Sequence, residues 1–313
     1  MDKIFVSDFI IKNLMINYKL SISFKVIIQF KILKKKLLDE ILNLMVLNIL
    51  VKRVVEIYRK LTSFLWLFFK IGPNFLLKWI FLIILRKNVD LKIEFIFRSK
   101  KVLVYLESTL TDIILLTEIF FLEVYFVDNI KNPTLIVDAG ANKGLSAIYY
   151  NTLWPQCSIH CFEPNKDLIQ ILNKNLKSNR VNATVHNAAI SDKDGYEFFD
   201  ISDNHQYSKL SNKETDTKVK TVNLESFYND QKIDILKMDV EGAEEKIICS
   251  LKNYNIDCII GEVHHNLIDK NNFFMVLSEK YNLRRPRLQQ FLSNPTVNYP
   301  IVTAIRKKII KYY

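Results

Sequence analysis

The chain has 313 residues, 49% hydrophobic and 25% charged, which allows one large domain or two modest ones and excludes a wholly disordered polymer. Only 6 Gly and 7 Pro exclude collagen-like and linker-like sequence, and four Cys (Cys157, Cys161, Cys249, Cys258) without a CxxC pair argue against a disulfide framework or structural zinc and for a reducing compartment. The net charge of +11 is concentrated: residues 1–100 hold 19 Lys and Arg against 7 Asp and Glu, and the remaining 213 residues hold 25 against 26.

The division expected from this pattern is a basic, apolar helical arm over residues 1–91 and a catalytic domain over 92–313. Ile32–Leu42 mixes Leu and Ile with charges at helical spacing, and Met45 is a second plausible start. No basic, apolar and small-residue regions follow one another as in a cleaved leader. Residues 61–85 are the most apolar stretch, but Lys70, Lys78 and the Gly72-Pro73 pair interrupt it. That suits a spanning helix poorly. Two readings stand: an interfacial hairpin whose lysines snorkel to an anionic cytoplasmic membrane face, or helices buried on the body or at a dimer interface.

After Lys101 the pattern changes. Val102–Tyr105 and Glu123–Val127 read as strands around a helix at Thr111–Phe121. Strands at Leu135–Val137, Ser158–Phe162, Thr184–His186, Ile235–Met238, Cys258–Gly261 and Ile301–Ile305 then alternate with helices at Ser146–Leu153, Asp167–Asn179, Ala243–Leu251 and Asp269–Lys280. Tyr196–Phe199 and Lys218–Val222 add hairpin strands. Parallel strands need crossover helices, so the fold class is an α/β doubly wound sheet.

Four motifs carry chemistry. Val137-Asp138-Ala139-Gly140-Ala141-Asn142-Lys143-Gly144 follows a buried strand and opens a helix. Its glycine spacing departs from the GxGxxG pyrophosphate fingerprint, which counts against a dinucleotide dehydrogenase, and Asp138 favours a cationic ligand. Cys161-Phe162-Glu163-Pro164 ends the next strand, where a carboxylate can hold two ribose hydroxyls. Met238-Asp239-Val240-Glu241-Gly242 and Gly261-Glu262-Val263-His264-His265 bring Asp239, Glu241, Glu262 and His264 to the carboxyl edge of the sheet. Glu244 and Glu245 read as a solvated helix face, and His265 as a loop histidine.

VDAGANKG, CFEPN, NAAISDKDG, IDILKMDVEGAE and GEVHH, in this order, resemble the FkbM-type family of S-adenosylmethionine-dependent methyltransferases. The resemblance covers roughly residues 95–310, including a lead-in at Thr111-Asp112-Ile113, and leaves out the first 90 residues. It implies a class I methyltransferase fold, a Rossmann-like sheet of seven strands with one antiparallel. It also implies S-adenosylmethionine as cofactor and O-methylation of a sugar, glycan or natural-product hydroxyl. Asp138, Gly140, Asn142 and Gly144 would line the methionine end, Glu163 the ribose, and Asn187 and Ala188 the adenine, with Asp239 beside the methyl.

His264 is expected to be the general base because its ordinary pKa lies closest to neutral, with Asp239 the runner-up. Asp239 and Glu241 would hold the acceptor hydroxyl or a Mg²⁺ ion. The alternatives are a nucleic-acid methyltransferase, prompted by the pI of 9.3, and a non-catalytic membrane-associated module retaining the fold. The first is weakened by the near-neutral body, since phosphate-rich partners need local positive charge.

Overall fold

A computed structural model describes residues 67–84, 89–107, 109–128, 130–201, 208–211, 214–251, 255–264, 267–284 and 301–307, with isolated positions between 57 and 65. The chain divides into two compact units, residues 1–54 and 55–313, and every described residue belongs to the second. The expected helix at Ile32–Leu42 and His265 lie outside the described residues.

The second unit opens with a π-helical turn at Leu67–Ile71 and helix α1 (Pro73–Ile84), then an antiparallel hairpin of β1 (Asp90–Phe97) and β2 (Lys100–Glu107), then α2 (Leu110–Phe120). The alternating units are β3 (Leu135–Ala139), α3 (Leu145–Leu153), β4 (Ser158–Phe162), α4 (Lys166–Ser178) and β5 (Ala183–His186). A small sheet of β6 (Ala189–Ser191), β7 (Gly195–Asp200), β8 (Lys209–Ser211) and β9 (Lys218–Asn223) follows. The chain then returns through α5 (Leu224–Tyr228), β10 (Ile233–Met238), α6 (Glu244–Ser250), β11 (Ile256–Glu262), α7 (Lys270–Lys280), β12 (Tyr281–Arg284) and β13 (Ile301–Arg306).

The main sheet has seven strands in the order β12-β13-β11-β10-β3-β4-β5, and β13 is antiparallel to both of its neighbours. This is the class I methyltransferase arrangement. The chain leaves β3 toward β4 and β5, then comes back to place β10 on the other side of β3. Ligand crevices open at such a reversal, outside the carboxyl ends of the strands. Helices cover both faces, so β3 and β10 are buried at every position. Strand alternation sorts their side chains: Ile136, Ile235 and Ile260 pack on one face, and Leu135, Val137, Leu236 and Ile259 on the other.

Three sequence expectations change. Glu123–Val127 is an irregular loop, not a strand; Glu123 has φ 49°, and Val124, Tyr125 and Val127 are buried because the loop packs against the body. The 91/92 division falls inside β1, where Leu91 pairs with Leu106 and is buried. Within 61–85, Leu67, Leu76 and Trp79 join the main apolar cluster, so part of this segment is buried on the body. Among the described residues, no helix is long and apolar enough to cross a membrane.

The β1–β2 hairpin is held to α4 by two asparagines one helical turn apart. Asn175 Oδ1 accepts from Tyr105 N at 2.7 Å, and its Nδ2 donates to Tyr105 O at 3.0 Å. Asn179 repeats the pair with Leu103 N at 2.9 Å and Leu103 O at 2.6 Å. These side chains do for the edge of β2 what a neighbouring strand would do.

Candidate active site

The loop after β3 is shaped first by packing. Gly140 has φ 78°, and a Cβ there would lie 1.9 Å from the carbonyl oxygen of Asp239. Gly144, with φ 83°, would put a Cβ 2.7 Å from Leu172. The crossing of β3 with β10 therefore requires glycine at 140, and the left-handed backbone favours it at 144. The loop is pinned to β4 by Gly140 N and Ala141 N, each donating to Phe162 O at 3.0 Å. Asp138 is fully buried: Ser146 Oγ donates to its Oδ2 at 2.5 Å, and Lys237 Nζ lies 3.2 Å from its Oδ1.

Glu163 is 6% exposed and reaches back into this loop. Its Oε2 accepts from Asn142 N at 2.8 Å and its Oε1 from Asn165 N at 2.9 Å. Burial raises its pKa to about 7 despite both N–H bonds. Asn187 is exposed beside it and donates from Nδ2 to Glu163 O at 2.9 Å; Ala188 is buried. Asp138, Gly140, Asn142, Glu163 and Asn187 thus share one edge of the sheet, while Gly144 faces α4. The Asn142 amide oxygen is buried with no hydrogen-bond partner among the described residues. An unsatisfied buried acceptor costs about 1–3 kcal/mol, and an ammonium or hydroxyl donor of a bound ligand relieves it. The loop therefore fits S-adenosylmethionine, which carries both groups.

The ends of β10 and β11 bring the other candidates together. Tyr125 OH donates to Asp239 Oδ2 at 3.2 Å, and Lys237 Nζ lies 3.9 Å from the same oxygen. His264 is held between two carboxylates: Nε2 is 3.0 Å from Glu241 Oε2, and Nδ1 is 2.5 Å from Glu244 Oε1. Burial opposes the imidazolium, but the two carboxylates prevail and raise the His264 pKa to about 11. Burial pushes Glu241 and, further, Glu262 above the usual carboxylate range, with Asp239 adding to both.

Several of these residues were not legible as site residues. Glu244, expected on a solvated helix face, is fully buried on His264. Lys237 is 2% exposed and donates to Gly140 O at 2.7 Å; burial lowers its pKa, but Asp138 and Asp239 reverse that and raise it. Its position inside an apolar strand was the available signal. Lys143, also buried, pairs with Asp112 at 2.6 Å, so the lead-in helix clamps the glycine loop. Tyr125 left no signal, because its loop read as a strand.

Asp239, Glu241 and His264 offer ligand atoms within 4.8 Å of one another. They do not fit the expected Mg²⁺, which takes oxygen ligands in a near-octahedral shell. One of the three groups is an imidazole with both nitrogens engaged, and Lys237 already faces Asp239.

Residues 138–289 match the family model described as the methyltransferase FkbM domain. The chain is similar to Methyltransferase 1 of Beauveria bassiana (strain ARSEF 2860), 24% identical over 183 residues, covering 50% of this chain and 74% of that one. It is 40% identical over 62 residues to Methyltransferase sdnD of Sordaria araneosa, covering 20% of this chain and 24% of that one. Among solved structures, an FkbM methyltransferase from Methylobacillus flagellatus KT aligns with a TM-score of 0.40 at 12% identity, over 60% of this chain and 47% of that one. Residues 138–289, which place the glycine loop, Glu163, Asp239 and His264 on the seven-stranded sheet, match the FkbM methyltransferase domain, and the chain is an S-adenosylmethionine-dependent methyltransferase.

Proposed function

We propose that the enzyme O-methylates a hydroxyl of a sugar, glycan or glycolipid-like acceptor. The observation that carries this reading is the grouping of Asp239, Glu241 and His264 at the ends of β10 and β11, beside the loop with the unsatisfied Asn142 oxygen. Asp138, Gly140 and Asn142 would hold the methionine end of S-adenosylmethionine, Glu163 the ribose hydroxyls, and Asn187 and Ala188 the adenine edge. Bound there, the cofactor supplies a methyl group on a sulfonium for in-line transfer to the acceptor oxygen.

The chain's own task is to align the acceptor and take its proton. The base role moves from His264 to Asp239. Both His264 nitrogens are engaged by carboxylates and its side chain is 6% exposed, whereas the Asp239 side chain is 24% exposed. Tyr125 and Lys237 fix one Asp239 oxygen, and the acceptor hydroxyl gives its proton to this carboxylate. Glu241, anchored by His264, takes a second acceptor hydroxyl. The basic, apolar first third supports peripheral association with an anionic membrane surface, which would bring the enzyme to lipid-linked acceptors.

The test is transfer of label from methyl-tritiated S-adenosylmethionine to a panel of free sugars and extracted glycolipids. The expected product is a methyl ether, with Asp239→Asn losing about 10²-fold or more in rate while keeping S-adenosylhomocysteine affinity. Label in nucleic acid alone, or an Asp239→Asn enzyme at full rate, contradicts the reading.

A further inference from the structure

The described apolar side chains between residues 57 and 80 fall into two groups. One group belongs to the body: Leu67, Leu76 and Trp79 are buried in the main cluster. The other group is exposed among the described residues. Ile57, Leu61, Phe64 and Phe68 recur at helical spacing and are 40–64% exposed; Phe69 and Leu77 are 75% and 66% exposed. Exposed apolar side chains grouped in this way mark an interaction surface.

We propose that this face docks on the anionic leaflet of a lipid membrane, with Phe69 and Leu77 among the inserted side chains. The proposal rests on the peripheral reading above and assigns it a surface. Charge selects the partner. Between residues 52 and 92, nine Lys and Arg stand against Glu56 and Asp90, and Lys70 and Lys78 interrupt the apolar run itself. The cores of protein–protein interfaces are depleted in lysine. An interfacial segment instead combines aromatic and aliphatic insertion with basic residues that meet lipid phosphates. The 12-residue helix α1 is too short to span, so the contact lies in the plane of the interface.

The test is flotation of the full chain with vesicles of phosphatidylcholine containing phosphatidylglycerol, against pure phosphatidylcholine, at low and high salt. The variant is Phe69→Asp with Leu77→Asp; both positions are exposed and away from the site residues. S-adenosylhomocysteine binding and melting temperature, read on the same samples, separate a failed membrane contact from an unfolded variant or a failed cofactor site. The chain is expected to float with anionic vesicles and to release in salt, and the variant to float about tenfold less with unchanged cofactor binding. Wild-type protein that binds S-adenosylhomocysteine but stays with the pellet overturns both the face and the peripheral reading. A variant that floats as well as wild type overturns the face alone. A dimer split by the same variant, without flotation, assigns the face to a second copy of the chain instead.

Discussion

Glu163 links stability to pH. Its folded pKa of about 7 lies above the ordinary 4.5 because burial outweighs the two N–H groups it accepts from. Below pH 4.5 the carboxyl is neutral folded or unfolded and costs nothing. As pH rises toward 7 the unfolded chain gives up its proton first, so stability falls, by roughly 3 kcal/mol in all. Glu163→Gln should therefore melt less pH-dependently than wild type between about pH 5 and about pH 8 by calorimetry; an identical slope would refute the burial argument. His264 was expected at the carboxyl edge of the sheet and lies there, but its pairing was not legible, because sequence spacing does not show that Glu241 and Glu244 both converge on it. Removing a buried partner leaves Glu244 uncompensated, so His264→Ala should cost about 3–5 kcal/mol by urea unfolding, and His264→Ala with Glu244→Gln clearly less. Equal losses in the two variants would show that the pairing is not what matters. Tyr125→Phe removes the donor on Asp239 Oδ2 and should lower methyl transfer about tenfold, with S-adenosylhomocysteine affinity within about twofold of wild type. Full turnover would remove Tyr125 from the positioning of Asp239.

The elements of the main sheet were the most legible part of the fold. Ser158–Phe162 was expected at its observed bounds, and the other expected strands and helices of this sheet differ only by a residue or two at their ends, because buried parallel strands leave continuous apolar runs, whereas the edge strand β12, with three of its four residues exposed, was not expected. What sequence did not show depends on packing partners distant in the chain. The run Ile93-Glu94-Phe95-Ile96-Phe97 alternates like a strand and is one, yet no element was expected there, because its pairing with β2 is what fixes it as a strand. Val124, Tyr125 and Val127 are apolar and buried without being a strand, which periodicity over five residues does not separate. The Asn175 and Asn179 anchors were invisible, because two asparagines on a helix read as solvated. Asn175→Ala strips partners from Tyr105 N and O and should destabilise by about 2–4 kcal/mol in urea unfolding. Hydrogen exchange should show β2 amides opening in the variant before those of β10. Uniform exchange would mean that the hairpin is held by its apolar face alone.

At the scale of the whole molecule, the uneven charge was the most useful sequence observation. It separated a near-neutral body from a basic first third, and so weakened the expectation of a nucleic-acid acceptor. The boundary was less legible than the asymmetry: composition changes near Lys92, whereas packing carries Leu67, Leu76 and Trp79 into the same core as β1 and α3. The candidate site was legible as a set of positions, since Asp138, Glu163, Asp239, Glu241 and His264 all reach the carboxyl edge of one sheet. It was not legible as an electrostatic arrangement, because Lys237, Lys143 and Glu244 acquire their roles only when the sheet closes around them.

The most direct test of the account is titration calorimetry of S-adenosylhomocysteine into the full chain and into Glu163→Ala. The account predicts one site per chain with a Kd in the micromolar range, about −8 kcal/mol, weakened roughly tenfold or more by the substitution. No heat with wild-type protein, or an unchanged Kd in Glu163→Ala, would contradict it.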